Sequence, residues 1–97
     1  MRIIARRALR EFSTSHPRSR QPLDDWYTLV AASDWTSPAD VKQLFRGADF
    51  LSDNRVVFNV AGNTYRLVFK VEYRFRAVYI RFIGTHSEYD RIDATTI

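Results

Sequence analysis

The sequence has no cysteine among its 97 residues, and it has only three glycines and three prolines. The absence of cysteine excludes a disulfide framework, a thiolate metal site and a cysteine nucleophile. No apolar run approaches the roughly 20 residues that a membrane-spanning helix needs. The amino-terminal residues lack the apolar segment of a secretory signal, and no glycine-rich phosphate loop is present. We therefore expect a protein of the cytoplasm, away from membranes and without a cofactor.

Length and composition indicate one folded unit. Hydrophobic residues make up 45% of the chain and aromatic residues 14%, which is typical of a globular protein rather than a disordered one. A chain of this length can bury one modest core, but not two. We expect residues 1–97 to form a single domain.

Charge is unevenly distributed along the chain, whose formal net charge is +4. Residues 1–20 carry a net charge of +5, residues 21–53 of −4 and residues 54–97 of +3. Only two of the 15 cationic residues are lysines, Lys42 and Lys70. The planar guanidinium of arginine suits bidentate contacts with phosphate and stacking on bases. This composition favours a nucleic-acid partner, although a solvated cationic surface explains it as well.

The hydrophobic periodicity predicts helices in the first half of the chain and strands in the second. The expected elements are a strand at residues 2–5, helices at residues 5–15, from Pro22 and from Pro38, strands at residues 55–60, 64–74 and 77–83, and a short carboxy-terminal helix. This order predicts an α+β fold, in which the helices pack on one face of a mostly antiparallel, four-stranded sheet.

The run from Thr64 to Asp93 carries the features that bear on function. Its first strand alternates with a period of two, so that Arg66 and Lys70 lie on the face opposite the core. In the next strand the alternation predicts Arg81 on that same face and Phe82 in the core, together with Val78 and Ile80. Two antiparallel strands would then present a basic sheet face.

The sequence Thr85-His86-Ser87-Glu88 that follows fits a capping box, which predicts the start of a helix. A histidine in the first turn beside a basic strand end could move protons near a phosphate, although a lone histidine is also common as an ordinary surface residue. Tyr89 lies one helical turn away and could instead pack on the sheet edge. Asp90 is interpreted as solvated or paired with Arg91 or the basic face, and the spacing of these residues matches no familiar metal-ligand set.

Two stretches of this run resemble the HigB toxins, a branch of the RelE-like messenger RNA interferases of bacterial type II toxin–antitoxin systems. They are Tyr65-Arg66-Leu67-Val68 and the segment from Ile80 to Asp90. The most specific motif is GTHSEYDRID, residues 84–93, which overlaps the second stretch. The resemblance extends over nearly the whole chain. It is also carried by Arg2-Ile3-Ile4, Asp25-Trp26-Tyr27, Asp34-Trp35 and residues 55–60.

The resemblance implies a RelE-like fold and the cleavage of messenger RNA in the ribosomal A site, without a metal ion. In that chemistry the ribose 2′-OH attacks the adjacent phosphorus and the 5′ oxygen leaves. The partners it implies are messenger RNA, the ribosome and a HigA-type helix-turn-helix antitoxin. The resemblance implies that Arg66 is the arginine of the strand motif. It also implies that His86 is the basic residue after the last strand and that Tyr89 is the tyrosine of the carboxy-terminal helix.

On this hypothesis Arg66 and Arg81 clamp the scissile phosphate, His86 acts as general acid or base, and Tyr89 orients or stacks a base. Further RNA contacts are expected from Lys70, Arg74 and Tyr79. RelE has a lysine-rich site whereas this chain has two lysines, which favours His86 as the proton-transferring group.

Two other function classes fit the same residues. A non-catalytic RNA-binding domain would use the basic face with Tyr73, Phe75 and Tyr79 as stacking platforms. A pure interaction module would use the basic face to dock an acidic protein.

Overall fold

The computed structural model describes all 97 residues and contains five strands and four α-helices. In chain order the elements are β1 (Arg2–Ile4), α1 (Arg6–Ser15), α2 (Arg20–Ala31), α3 (Pro38–Leu44), β2 (Asp49–Phe50), β3 (Arg55–Val60), β4 (Tyr65–Glu72), β5 (Ala77–Thr85) and α4 (His86–Tyr89). The strands form one sheet in the order β1-β5-β4-β3-β2. Strand β1 is parallel to β5, and the other neighbours are antiparallel.

The sheet has five strands, so the prediction of four is wrong. The additional strand, β2, consists of Asp49 and Phe50, which pair with Val57 and Val56 of β3. Two residues are too few to show an alternating pattern, and the sequence gives no periodic signal for such a strand. It extends the sheet at the edge next to β3.

Strand β5 contains an irregularity that changes which residues face the core. The register with β4 shifts between Val68 and Phe69, so that Val68 pairs with Phe82 while Phe69 pairs with Ile80. Arg81 is the extra residue, as in a β-bulge, where two residues of one strand oppose one of its partner. Phe82 consequently lies on the face opposite the core, and its predicted place beside Ile80 is wrong.

The main core lies between the helices and one face of the sheet. A single cluster joins helix residues to alternate strand residues. Among its members are Leu9, Leu23, Trp26, Val30, Val41, Val56, Tyr65, Leu67, Phe69, Val71 and Val78. We call the opposite side of the sheet the open face. None of the helices has the length and apolar character needed to cross a membrane.

The open face is partly covered by residues that follow α4. Ala94 is buried against Val57 and Val68, and Phe82 and Tyr89 pack against the same group. We call Val57, Val68, Phe82 and Ala94 the apolar patch. Because this patch lies across the middle of the open face, it divides the face into two polar ends.

Candidate active site

Helix α4 begins with the capping box that the sequence predicts. The Thr85 side chain accepts a hydrogen bond from the backbone N–H of Glu88 at 3.2 Å, and the Glu88 carboxylate accepts one from the backbone N–H of Thr85 at 2.8 Å. This reciprocal pair fixes the direction of a helix only four residues long. The prediction is confirmed, and it determines where His86 stands.

The capping bond from the backbone N–H of Thr85 lowers the pKa of Glu88 below its ordinary value of 4.5, with the Thr85 hydroxyl as the second cause. Since the folded-state pKa is depressed, the cap contributes stability above pH 4.5 and is lost as the pH falls through the lowered pKa. We expect a carboxyl-carbon NMR titration to place the midpoint of Glu88 below 4.5. A Glu88 midpoint at or above 4.5 would contradict this prediction.

His86, the first residue of α4, is held at both its backbone and its ring. Its backbone N–H donates to the carbonyl of Thr64 at 3.1 Å, which ties the start of α4 to the start of β4. Its ring Nδ1 lies 3.1 Å from an Asp90 carboxylate oxygen, and the side chain is 46% exposed. Asp90 therefore pairs with His86, a role that sequence reasoning missed. The spacing of four residues on a helix was the signal that could have found it.

Arg66 lies on β4 directly opposite Gly84 of β5, two residues before His86. Only 8% of Arg66 is exposed. Its guanidinium donates to the backbone carbonyls of Asn63 and Tyr65, each at 3.2 Å, and to the side-chain oxygen of Asn63. These bonds direct the charged group toward the turn between β3 and β4. Asn63 is a second residue of the site that the sequence analysis did not identify.

Gly84 is the tightest point in the neighbourhood of Arg66 and His86. A Cβ added there would lie 2.5 Å from Cζ of Phe82 and 3.1 Å from a carboxylate oxygen of Glu88. The bulge at Arg81 turns Phe82 onto the open face, where its ring approaches the glycine. A larger residue at this position is therefore disfavoured by packing, because Phe82 or Glu88 would have to shift, rather than by backbone conformation.

We expect Gly84→Ala to lower the free energy of unfolding by about 1–3 kcal/mol, as overpacking does. The matched control is Gly47→Ala, because a Cβ at Gly47 meets nothing within 4 Å. Shortening the clashing ring with Phe82→Leu should reduce the effect of Gly84→Ala in a double-mutant cycle followed by chemical denaturation. Equal losses for the two glycine variants would refute the steric explanation.

Arg81 and Lys70 lie at the other end of the open face. The Nε of Arg81 donates to the backbone oxygen of Ile97 at 3.2 Å, and Arg55 Nε donates to the same oxygen at 2.9 Å. The Lys70 ammonium lies 3.2 Å from the Asp53 carboxylate. The two arginines of the predicted clamp, Arg66 and Arg81, thus lie on the same face of the sheet but at opposite ends of it.

Asp53 links these cations into a network. Its carboxylate also lies 2.9 Å from Arg55, whose side chain is almost fully buried. Hydrogen bonding from Lys70, followed by that from Arg55, lowers the pKa of Asp53 below its ordinary value of 3.8. Neither Arg55 nor Asp53 was a predicted site residue, because nothing in the pattern distinguishes them from ordinary turn and strand charges.

The remaining predicted RNA contacts lie near the turn between β4 and β5. Tyr79 is half-buried and pairs with Lys70 in the strand register. Arg74 is exposed, and its guanidinium carbon lies 5.1 Å from the centre of the Phe75 ring. At neither end of the open face do three or more histidine or acidic side chains converge as a metal site requires.

Comparison with known proteins assigns the chain to a family. A family model described as HigB_toxin, the RelE-like toxic component of a toxin–antitoxin system, matches residues 19–92. The chain belongs to this family. The match spans α2 through α4 and includes Arg66, His86 and Asp90. It confirms the resemblance read from the motifs of β4, β5 and α4.

Individual members of the HigB toxin family are similar to this chain over most of its length. It is 32% identical over 92 residues to a protein of Escherichia coli (strain K12) named mRNA interferase toxin HigB. The matched region covers 93% of this chain and 88% of the relative. A Shigella flexneri protein named mRNA interferase HigB has the same identity and coverage. A protein of the same name from Escherichia coli O6:H1 is 24% identical over 94 residues, with coverages of 95% and 91%.

Proposed function

We propose that this toxin is a ribosome-dependent endoribonuclease that cuts translated messenger RNA and so arrests growth. The observation that carries the proposal is the His86–Asp90 pair, 3.1 Å apart, on a capped helix next to Arg66. A half-exposed histidine next to a carboxylate, at the end of the strand that pairs with Arg66, supplies groups that phosphodiester cleavage needs. The names of the relatives, messenger RNA interferases, support the same reaction.

The proposed reaction is an internal transphosphorylation. The ribose 2′ oxygen forms a bond to the adjacent phosphorus while the bond from phosphorus to the 5′ oxygen breaks, which leaves a cyclic phosphate and a new 5′ hydroxyl. One proton must leave the 2′ hydroxyl and one must reach the departing 5′ oxygen. His86 transfers one of these protons, and Arg66 stabilises the negative charge that builds up on the phosphorane. The protein's own groups thus supply proton transfer and charge, so the proposal requires no metal ion.

Asp90 acts in this scheme as a positioning residue. When Nδ1–H of His86 is donated to Asp90, Nε2 is the ring nitrogen left to face the RNA. Tyr89, which packs 6.3 Å from Phe82 between ring centres, stacks or orients a base beside the scissile phosphate. Arg81, beyond the apolar patch, holds a phosphate further along the strand rather than the phosphate that is cut. Lys70, already paired with Asp53 and Glu72, adds positive charge at that end.

The remaining parts of the proposal concern location and partners. The substrate is messenger RNA in the ribosomal A site, so the toxin acts in the cytoplasm. Exposed arginines of α1, Arg6, Arg7 and Arg10, are placed to meet ribosomal RNA, although Arg7 is also paired with Glu11 at 2.8 Å. A HigA-type helix-turn-helix protein is the proposed antitoxin. The family description, a toxic component of a toxin–antitoxin system, supports an antitoxin partner as such.

The test is to induce the wild type and the His86→Ala variant in a bacterial host, to follow growth and to map messenger RNA 5′ ends. We expect the wild type alone to stop growth and to produce new ends in phase with the reading frame. Ser87→Ala is the matched control, because Ser87 is the exposed neighbour of His86 and its side chain makes no hydrogen bond. Soluble protein is measured for each variant.

The other outcomes separate the competing explanations. Growth arrest by both the wild type and His86→Ala would support the ribonuclease but contradict a role for His86 in its chemistry. New 5′ ends out of phase with the reading frame would support cleavage but contradict its dependence on the ribosome. No arrest and no new ends with soluble wild type would refute the proposal and favour the non-catalytic RNA-binding domain.

A further inference from the structure

A groove opens on the sheet surface at the end remote from His86. It encloses about 350 Å³ and is lined by Lys70, Glu72, Phe75, Tyr79 and Arg81. That volume lies within the roughly 300–1,000 Å³ typical of small-ligand sites. The groove combines two aromatic rings with two cations, a mixture that distinguishes it from an ordinary solvated surface.

Phe75 is the unusual member of this set. It is 66% exposed, the largest exposed fraction among the large hydrophobic side chains of the chain. The three-residue 3-10 turn Tyr73–Phe75 holds it at the tip between β4 and β5. The guanidinium of Arg74 lies over the ring, whereas Arg74 does not line the groove, so Phe75 still contributes surface to it. An aromatic ring exposed at a turn is suited to stacking on a flat partner.

The cations of the groove differ in how far they are already engaged. Lys70 lies between two carboxylates, 3.2 Å from Asp53 and 3.4 Å from Glu72. Arg81 uses only Nε, which donates to the oxygen of Ile97, and its two terminal nitrogens make no hydrogen bond. Arg81 is therefore the residue with donors free for a phosphate, while Glu72 repels a second phosphate from the Lys70 side.

We propose that this groove is a subsite for one unpaired nucleotide of a single-stranded RNA, with its base stacked on Phe75 and Tyr79 and its phosphate bound by Arg81. Stacking on aromatic rings beside a cationic groove is how proteins bind single strands with little sequence preference. The inference rests on the proposed function, for which it adds a second point of contact with the RNA. It also assigns a role to the exposed ring, which the cleavage chemistry does not use.

The subsite is distinct from the place of cleavage. Arg66 and Lys70 are four residues apart on β4, which corresponds to about 14 Å of strand, and the apolar patch lies between the two ends. The nucleotide bound in the groove is therefore not the one that is cut. A contact of this kind would hold the strand in register while His86 and Arg66 act on another linkage.

The experiment measures binding of fluorescein-labelled 2′-O-methyl RNA by fluorescence anisotropy. The methyl group blocks attack by the 2′ oxygen, so affinity is read without cleavage. A short unstructured oligonucleotide is compared with an abasic one that has the same phosphates. Phe75→Ala should weaken binding of the base-bearing RNA by about 5- to 150-fold, the range that loss of one stacked base gives. It should leave the abasic RNA unaffected.

Four further variants sharpen the test. Phe75→Trp should bind at least as tightly as the wild type, because indole also stacks. Arg81→Ala should weaken both oligonucleotides alike, since it removes a phosphate contact. Leu29→Ala removes another exposed hydrophobic side chain, 47% exposed, and should change neither affinity. If Phe75→Ala lowers the melting temperature, Phe75→Leu keeps the apolar volume without the aromatic ring and gives the same test.

Undiminished binding of the base-bearing RNA by both Phe75→Ala and Phe75→Leu would overturn the proposal. So would a wild type that binds both oligonucleotides equally. Loss of association with a co-expressed antitoxin, with RNA affinity unchanged, would show that the ring docks a protein instead. Cleavage in cells is measured separately, so failure of the ribonuclease proposal would be distinguishable from failure of the subsite.

Discussion

His86→Ala is expected to lower the rate of RNA cleavage by about 10²- to 10⁴-fold, the usual contribution of a positioned general acid or base. The fold should survive, because the hydrogen bond from His86 to Thr64 is made by the backbone and the side chain is nearly half exposed. The measurement is the single-turnover rate of messenger RNA cleavage on purified translating ribosomes. The melting temperature, compared with that of Ser87→Ala, confirms folding.

Asp90→Asn tests whether the carboxylate partner of His86 contributes to cleavage while the imidazole itself is kept. The asparagine keeps the size of the side chain but removes the charge that pairs with His86, so cleavage should fall by less than in His86→Ala. A merely structural role for Asp90 would lower the melting temperature together with the cleavage rate. A cleavage rate of His86→Ala equal to that of the wild type would refute the assigned chemistry, whatever the result for Asp90→Asn.

Much of the fold follows from local patterns in the sequence. The alternation in β4 predicts which of its side chains enter the core, and the capping box predicts the start of α4 within a residue. In β5 the alternation gives a wrong prediction for Phe82, because the bulge at Arg81 places both Arg81 and Phe82 on the open face. A register shift depends on how two strands pair, and a strict period of two within one strand contains no information about it.

The candidate site is predictable to a similar extent. Its residue types and their common sheet face could be read from alternation, but the division of that face could not. Ala94 reaches Val57 and Val68 only after the chain has turned back across the sheet, and this separates Arg81 from Arg66. The bonds from Arg66 to Asn63 likewise depend on the shape of a turn that the pattern predicts only as a turn. Long-range contacts therefore set the arrangement that local periodicity leaves open.

Arg66→Ala is expected to lower cleavage by about 10²- to 10³-fold, the loss seen when one charge-stabilising donor is removed from a transition state. The guanidinium is already held by Asn63 and by the Tyr65 carbonyl, so little reorganisation is needed when charge develops on the phosphate. Arg66→Lys keeps the charge but not the planar fork, and an intermediate loss is expected. The measurement is again the single-turnover rate on translating ribosomes.

Asn63→Ala tests whether the position of Arg66 matters, in addition to its charge. It removes the side-chain acceptor of the guanidinium and keeps the arginine, so we expect a smaller loss of rate than in Arg66→Ala. Arg46→Ala, which removes an exposed arginine remote from the site, controls for the loss of one positive charge. A fall for Arg66→Ala no larger than that for Arg46→Ala would reduce Arg66 to a general electrostatic contact. The proton-transferring pair would then have to act without a fixed guanidinium, and charge stabilisation would have to come from the RNA-bound ribosome.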